Sequence, residues 1–138
     1  MSSVAYIALG CNLGDRHATL ARARDAIGSV KSLRVLRATE AEETDPIGPI
    51  RQGKFLNQML AVSTDLSPRA LLSALQRIER AEGRVRNVRW GPRTLDLDIV
   101  VIDGVEYSDD ALTVPHPELP NRDFWARELD ELRGVSDG

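Results

Sequence analysis

This sequence lacks several features, and each absence excludes a class of protein. Its 138 residues include a single cysteine, Cys11, so the chain cannot form an internal disulfide and is not a disulfide-stapled secreted domain. No apolar run approaches the roughly 20 residues of a membrane-spanning helix, so no contact with a membrane is expected. The N-terminal residues also lack the basic region of a secretory signal. We therefore expect a cytoplasmic protein in which Cys11 stays reduced.

Lysine is scarce as well, because the 18 basic residues include only Lys31 and Lys54. The formal net charge is −3, which argues against a surface devoted to nucleic acid, so any anion site must be local. Arginine is the better bidentate partner for phosphate, but genome base composition also explains this bias. The remaining composition, 42% hydrophobic and 28% charged, predicts one globular domain over residues 1–138. A monomer is expected, although composition does not determine the oligomeric state.

Alternating and β-branched apolar residues predict four strands. The pattern is clear in VAYIALG, which begins at Val4, and in FLNQMLAVST, which begins at Phe55. A Pro- and Gly-rich segment, TDPIGPIRQG, separates the second strand from the third and is predicted to be a loop. The predicted strands cover residues 4–9, 33–43, 54–64 and 94–103.

Two helices are predicted between these strands. The first has apolar residues at helical spacing and begins after an N-cap that is either Asn12 or Asp15. The second begins with Ser67 and Pro68, an N-cap followed by a first-turn proline, and ends at Gly83. The resulting order β-α-β-β-α-β is typical of an α+β, ferredoxin-like sandwich. In that fold an antiparallel sheet carries the helices on one face, here with short extra elements at the C-terminal end.

The segment GRVRNVRWGPRTLDLDIVVID brings basic and acidic residues together. Because strand side chains alternate between faces, Asp96 and Asp98 are predicted to project from one face and their apolar neighbours from the other. Carboxylates this close repel each other unless a cation lies between them, and Mg²⁺ favours few carboxylates together with water and phosphate oxygens. A pair of Mg²⁺ ions with a polyphosphate satisfies this pattern. The preceding loop supplies forked phosphate donors in Arg84, Arg86, Arg89 and Arg93.

Simpler explanations exist for each part of this segment. An Asp-x-Asp pair is commonly a solvated strand end, and arginine clusters are commonly solvated surface. Their adjacency, with Trp90 between the arginines, favours a functional site over both explanations. The same element order also occurs in RNA-binding sheets, which stack bases on aromatic side chains of their central strands. The segment DLDIVV of the fourth strand carries two acids that face one way and no aromatic residue, which disfavours the RNA-binding alternative.

Four motifs, RWGPRTLDLDI, GCNLGD, FLN and LTVPHP, carry a family resemblance that extends from Val4 to about Phe124. On these motifs the chain resembles the 6-hydroxymethyl-7,8-dihydropterin pyrophosphokinases of folate biosynthesis. The resemblance implies a ferredoxin-like fold, the use of ATP and magnesium, and transfer of pyrophosphate from ATP to the pterin hydroxymethyl group with release of AMP. A catalytically silent relative that binds nucleotide is the alternative. The chain departs from the family at Cys11, where serine is common, and at Asp45, where proline is common.

The resemblance also implies roles for individual residues. Asp96 and Asp98 match the metal-binding aspartates, and Arg84 and Arg93 match the arginines that handle the pyrophosphate of ATP during transfer. The further nucleotide positions are Gln76, Glu79, Arg86, Ile99, Thr113, His116 and Arg122. The pterin positions are Thr44, Ile47, Phe55, Asn57, Trp90 and Phe124. Without the resemblance, the two phenylalanines would be interpreted as core residues, and Gln76 and Glu79 as solvated surface.

Overall fold

A computed structural model describes residues 2–46, 52–83 and 95–134 of the chain. Three α-helices lie in these ranges, α1 (Arg16–Gly28), α2 (Pro68–Ala81) and α3 (Asp123–Gly134), and a short 3-10 turn (Leu119–Asn121) precedes α3. The strands in the same ranges are β1 (Ser3–Cys11), β2 (Leu33–Ala38), β3 (Glu42–Thr44), β4 (Phe55–Thr64), β5 (Asp96–Ile102), β6 (Tyr107–Ser108) and β7 (Thr113–Val114).

The main sheet is antiparallel and has the strand order β2-β4-β1-β5, with β3 also paired to β4. This order and the α+β class confirm the predicted ferredoxin-like fold. The predicted strand over 33–43 is instead divided into β2 and β3, which follow each other along one edge of β4. Thr39 lies at the break, where its hydroxyl oxygen accepts the main-chain N–H of Met59 at 3.0 Å in place of a carbonyl. The main-chain N–H of Thr39 still donates to the carbonyl of Met59 at 3.0 Å, so the side chain replaces only the accepting half of the main-chain ladder at this point.

Helices α1 and α2 pack on one face of the sheet, as predicted. Their apolar residues, among them Leu20, Ile27 and Leu75, are fully buried with the inward residues of β1, β4 and β5. The structure resolves the two N-cap alternatives for α1, because the Asp15 carboxylate accepts the N–H of Ala18 at 3.1 Å. The Ser67 hydroxyl caps α2 in the same manner, accepting from the N–H of residue 70 at 3.2 Å.

Helix α3 covers the opposite face of the sheet, where the sequence predicted only short extra elements. Helix α3 has 12 residues and buries Trp125, Leu129 and Leu132 against Tyr6 and Met59 of the central strands. The signal was present in the sequence, since these three residues recur at the spacing of an amphipathic helix.

In the described part of the chain, no helix combines the length and apolar character required to cross a membrane.

Candidate functional site

The two aspartates of β5 lie on one face of the sheet, as predicted. Asp96 and Asp98 are half-exposed, whereas Leu97 between them is buried against the α1 and α2 face. On the neighbouring central strand, Asp96 is paired with Gly10 and Asp98 with Ala8. Both carboxylates therefore project beside the smallest side chains of β1, on the same face as α3.

Gly10 lies between the candidate metal ligands and the candidate pterin residues. It is paired with Asp96 on one side and with Asn57 of β4 on the other. Directly paired residues of an antiparallel sheet share a face, and two interstrand spacings amount to about 10 Å. A Cβ atom at Gly10 would lie 3.1 Å from Asn57 Oδ1. The missing side chain thus lets the Asn57 amide approach the main chain of Gly10 closely.

The candidate pterin residues of β3 and β4 contact each other. The Asn57 amide donates to the hydroxyl oxygen of Thr44 at 2.5 Å, and Thr44 is paired with Phe55 across the two strands. The Phe55 ring lies 3.8 Å from the Cβ position of Gly10. Phe124 belongs to α3, where its ring is 6.3 Å from that of Trp125, centroid to centroid. The structure therefore brings Thr44, Phe55 and Asn57 together and places Phe124 on the helix that covers the same face.

His116 is held beside Asp98 in a defined tautomer. Its main-chain N–H donates to the carbonyl of Val100 at 2.8 Å, and its Nδ1 accepts the N–H of Glu118 at 3.0 Å. Burial and then the Arg122 cation lower the pKa of His116, against the opposing effect of Glu118. At neutral pH the ring is thus uncharged with its proton on Nε2, which lies 3.8 Å from Asp98 Oδ1. His116 presents a donor, not a base, to the carboxylate side of the site.

Trp125 connects His116 to Arg122 and was not singled out from the sequence. The His116 ring meets the indole edge-on at a centroid distance of 4.9 Å, and the Arg122 guanidinium lies 4.4 Å from the ring centroid. Buried Arg122 Nε has no hydrogen-bond partner within the described ranges. A buried guanidinium N–H without a partner costs free energy, so an anionic ligand at this position would relieve it.

Thr113 lies exposed on β7, in a hairpin fixed by Asp109. The Asp109 carboxylate accepts the hydroxyl of Tyr107, the guanidinium of Arg69 at 2.8 Å, and the main-chain N–H groups of residues 111 and 112. The Tyr107 hydroxyl, followed by the Arg69 guanidinium, holds the pKa of Asp109 well below its usual range. The carboxylate therefore remains ionised and keeps Thr113 at a fixed place beside β5.

Glu79 does not lie on the solvated surface, where its residue type alone would place it, whereas the Ile99 side chain faces away from the carboxylates as strand alternation predicts. Glu79 is buried, not solvated, and its carboxylate accepts the N–H of Leu97 at 2.7 Å, which joins α2 to β5. Gln76 is half-buried one turn earlier on α2. The Ile99 side chain is buried against the two-helix face, away from the carboxylates, so only its main chain is available to a ligand. Six predicted residues lie outside the described residues and stay predictions: Ile47, Arg84, Arg86, Arg89, Trp90 and Arg93.

The donor set around β5 fits a hard divalent cation. Within residues 2–46, 52–83 and 95–134, no cluster of at least three His, Cys, Asp or Glu side chains could hold a metal by itself. Mg²⁺ commonly takes only one or two carboxylates and completes its shell with water and substrate phosphate. Asp96 and Asp98 supply those oxygens from one face of β5.

Comparison with known proteins matches these features to one family. A family model described as 7,8-dihydro-6-hydroxymethylpterin-pyrophosphokinase matches residues 6–134. A protein of Bacillus subtilis named 2-amino-4-hydroxy-6-hydroxymethyldihydropteridine pyrophosphokinase is 41% identical over 132 residues, which is 96% of this chain and 79% of that protein. A protein of the same name from Haemophilus influenzae is 41% identical, over 93% of this chain and 80% of its own length. The Pseudomonas aeruginosa protein of that name is 40% identical over 92% and 78%.

Proposed function

The chain belongs to the 7,8-dihydro-6-hydroxymethylpterin-pyrophosphokinase family, and we propose that it transfers the pyrophosphoryl group of ATP to 6-hydroxymethyl-7,8-dihydropterin and releases AMP. This is the pterin-activating reaction of folate biosynthesis. One observation carries the proposal beyond the family match. The carboxylates of Asp96 and Asp98 and the amide of Asn57 lie on one sheet face, on either side of Gly10. A phosphate-bound cation and a flat heterocycle would thus be neighbours.

The pterin occupies the β3–β4 side of this face. The amide of Asn57, oriented by its bond to Thr44, is suited to recognise a heterocycle edge that carries donors and acceptors. Aromatic side chains pair with flat rings by stacking, which is the role proposed for Phe55 and Phe124. Ile47 and Trp90 complete the set by their position in the family pattern.

The ATP phosphates occupy the β5 side. Two Mg²⁺ ions held by Asp96 and Asp98 would neutralise the polyphosphate and orient its β-phosphorus. The arginines proposed to hold the transferring group are Arg84 and Arg93. The partnerless Nε of Arg122 supports its assignment to an anion site. The other nucleotide positions are Gln76, Glu79, Arg86, Ile99, Thr113 and His116.

The residues of this chain act mainly by positioning and electrostatics. The pterin hydroxymethyl oxygen forms a bond to the β-phosphorus of ATP, the bond from that phosphorus to the α,β-bridging oxygen breaks, and the bridging oxygen leaves with AMP. The hydroxyl proton is released in the same step. Neutral His116, with its proton on Nε2, serves as an orienting donor beside Asp98.

Replacement of one carboxylate tests the proposal. Asp98→Asn keeps the size of the side chain but removes its charge, so we expect pterin-dependent AMP release to fall by at least about 100-fold. Asp65→Asn is the matched control, because Asp65 is exposed and follows β4 at the opposite end of the sheet. Full activity of Asp98→Asn would contradict the proposed site. A wild-type chain that binds ATP but releases no AMP with pterin would favour the catalytically silent alternative.

The RNA-binding alternative is disfavoured by the position of α3. RNA-binding sheets of this topology stack bases on exposed aromatic residues of the central strands. Here the corresponding face of the central strands, including Tyr6, Met59 and Ala61, is buried beneath α3. We therefore propose small-molecule substrates and no nucleic-acid partner. As separate proposals, carried over from the sequence, the chain acts as a monomer and in the cytoplasm.

A further inference from the structure

We propose that Asn12, in the turn between β1 and α1, and Arg16, the first residue of α1, are positioning residues that hold both ends of the β3–β4 connection and thereby fix the pterin residues Thr44 and Phe55. The inference rests on the proposed function, because the two positioned residues are those assigned to the pterin. The sequence marked GCNLGD as a helix start and as a motif of the family resemblance, but it assigned neither Asn12 nor Arg16 a role toward the β3–β4 connection.

Arg16 connects the two strands that flank the connection. One guanidinium nitrogen donates to the main-chain carbonyl of Lys54 at 2.9 Å, and the other donates to the carboxylate of Glu43 at 2.7 Å. Glu43 directly precedes Thr44, and Lys54 directly precedes Phe55. One planar, forked side chain thus fixes the neighbours of both pterin residues.

Asn12 makes a second attachment near the end of the same connection. It is buried, and its amide donates to the side-chain oxygen of Gln52 at 2.7 Å and to the carbonyl of Gly53 at 3.0 Å. A buried amide that lost these partners would be left without hydrogen bonds, so Asn12 favours this one position of residues 52 and 53. Asn12 and Arg16 together therefore contact three consecutive residues, Gln52, Gly53 and Lys54, directly before β4.

Arg16 acts from the face opposite the ligands. Glu43 is paired with Leu56, whose side chain is buried with α1 and α2, whereas Thr44 and Phe55 face the α3 side. Because strand side chains alternate, Arg16 does not touch the pterin face. Its effect must pass through the main chain of β3 and β4. A displacement of about 1 Å in such a support can cost 100-fold in rate or affinity.

The positioning role predicts a selective kinetic defect. Arg16→Ala should raise KM for the pterin about tenfold, with KM for ATP and kcat within about twofold of wild type. Arg16→Lys, which retains one donor toward Glu43, should recover part of this loss. Arg133→Ala is the matched control, because its ion pair with Asp103 has the same length, 2.7 Å, at the other end of the sheet. Unchanged pterin KM in Arg16→Ala would overturn the inference.

A second readout does not depend on catalysis. Trypsin cleaves after lysine, and the carbonyl of Lys54 accepts the hydrogen bond from Arg16. Arg16→Ala should therefore accelerate cleavage between Lys54 and Phe55 by about tenfold. Arg133→Ala should leave the cleavage rate unchanged. If wild type releases AMP with pterin but neither readout changes, the positioning role fails and the proposed function stands. If wild type releases no AMP, the proposed function fails, and the cleavage rate alone decides whether Arg16 restrains the connection.

Discussion

Gly10 lies on the central strand between Asn57 and Asp96, where the candidate pterin and metal residues meet. Glycine is needed here for space, not for an unusual backbone angle, because a Cβ would come within 3.1 Å of Asn57 Oδ1.

At the adjacent position, Cys11 faces the other side of the sheet, and burial raises the pKa of its thiol to about 11. This thiol stays protonated at neutral pH and takes no part in the chemistry.

Gly10→Ala should weaken pterin binding while leaving ATP binding unchanged. The added methyl group must displace the Asn57 side chain and its bond to Thr44, so we expect pterin affinity to fall about tenfold. Calorimetric titration with pterin and with a non-hydrolysable ATP analogue separates the two effects. Gly28→Ala is the control, since its Cβ would lie 4.0 Å from Val35, an ordinary contact. Equal pterin affinity in both variants would show that Gly10 does not border the ring.

Helix α3 is the element that was not predicted as a helix from the sequence, which indicated only short extra elements at the C-terminal end. It is attached to the sheet by paired hydrogen bonds from Arg127 to the Glu42 carboxylate at 2.9 and 3.0 Å. Next to this pair, Glu128 is buried, and neither of its oxygens has a hydrogen-bond partner among the described residues. Burial and then the Glu42 charge raise the pKa of Glu128 to about 8, against the opposing effect of Arg127. The carboxyl group is therefore largely protonated at neutral pH.

Glu128→Gln should remove a pH dependence of stability. The pKa of Glu128 is higher in the folded protein than in the unfolded chain, so the unfolded chain loses this proton first as pH increases. The free energy of unfolding therefore falls between about pH 4.5 and pH 8. The neutral variant should be more stable than wild type at pH 9, by up to roughly 4 kcal/mol, with little difference at pH 5. Urea unfolding at both pH values measures this. Exposed Asp130→Asn should behave as wild type, and a parallel pH response of Glu128→Gln and wild type would contradict the account.

At the scale of the whole molecule, the described surface offers little for self-association. Leu13 is its one exposed large hydrophobic residue, with 42% of its surface accessible. Stable dimers bury extended, well-packed interfaces, which single apolar residues do not provide. Sedimentation at micromolar concentrations should therefore give the mass of one chain, and Leu13→Ser should sediment identically. A dimer that dissociates in Leu13→Ser would locate an interface at the β1–α1 turn.

Much of the fold and part of the site could be predicted from local patterns. Alternation placed Asp96 and Asp98 on one face, and the Ser67–Pro68 signal marked the start of α2, because these depend on neighbours within a few residues. The break at Thr39 and the burial of Glu79 could not be predicted in this way. Thr39 bonds to Met59 and Glu79 to Leu97, partners 20 and 18 residues away.

The sequence by itself determined the element order, the same-face carboxylates and, through its motifs, the family. Each follows from residue type and spacing along the chain. Only the tertiary structure decided that Gly10 separates Asn57 from Asp96, that α3 closes the second face, and that Arg16 holds the β3–β4 connection. These facts depend on which strands become neighbours, and strand pairing joins residues that no local pattern relates.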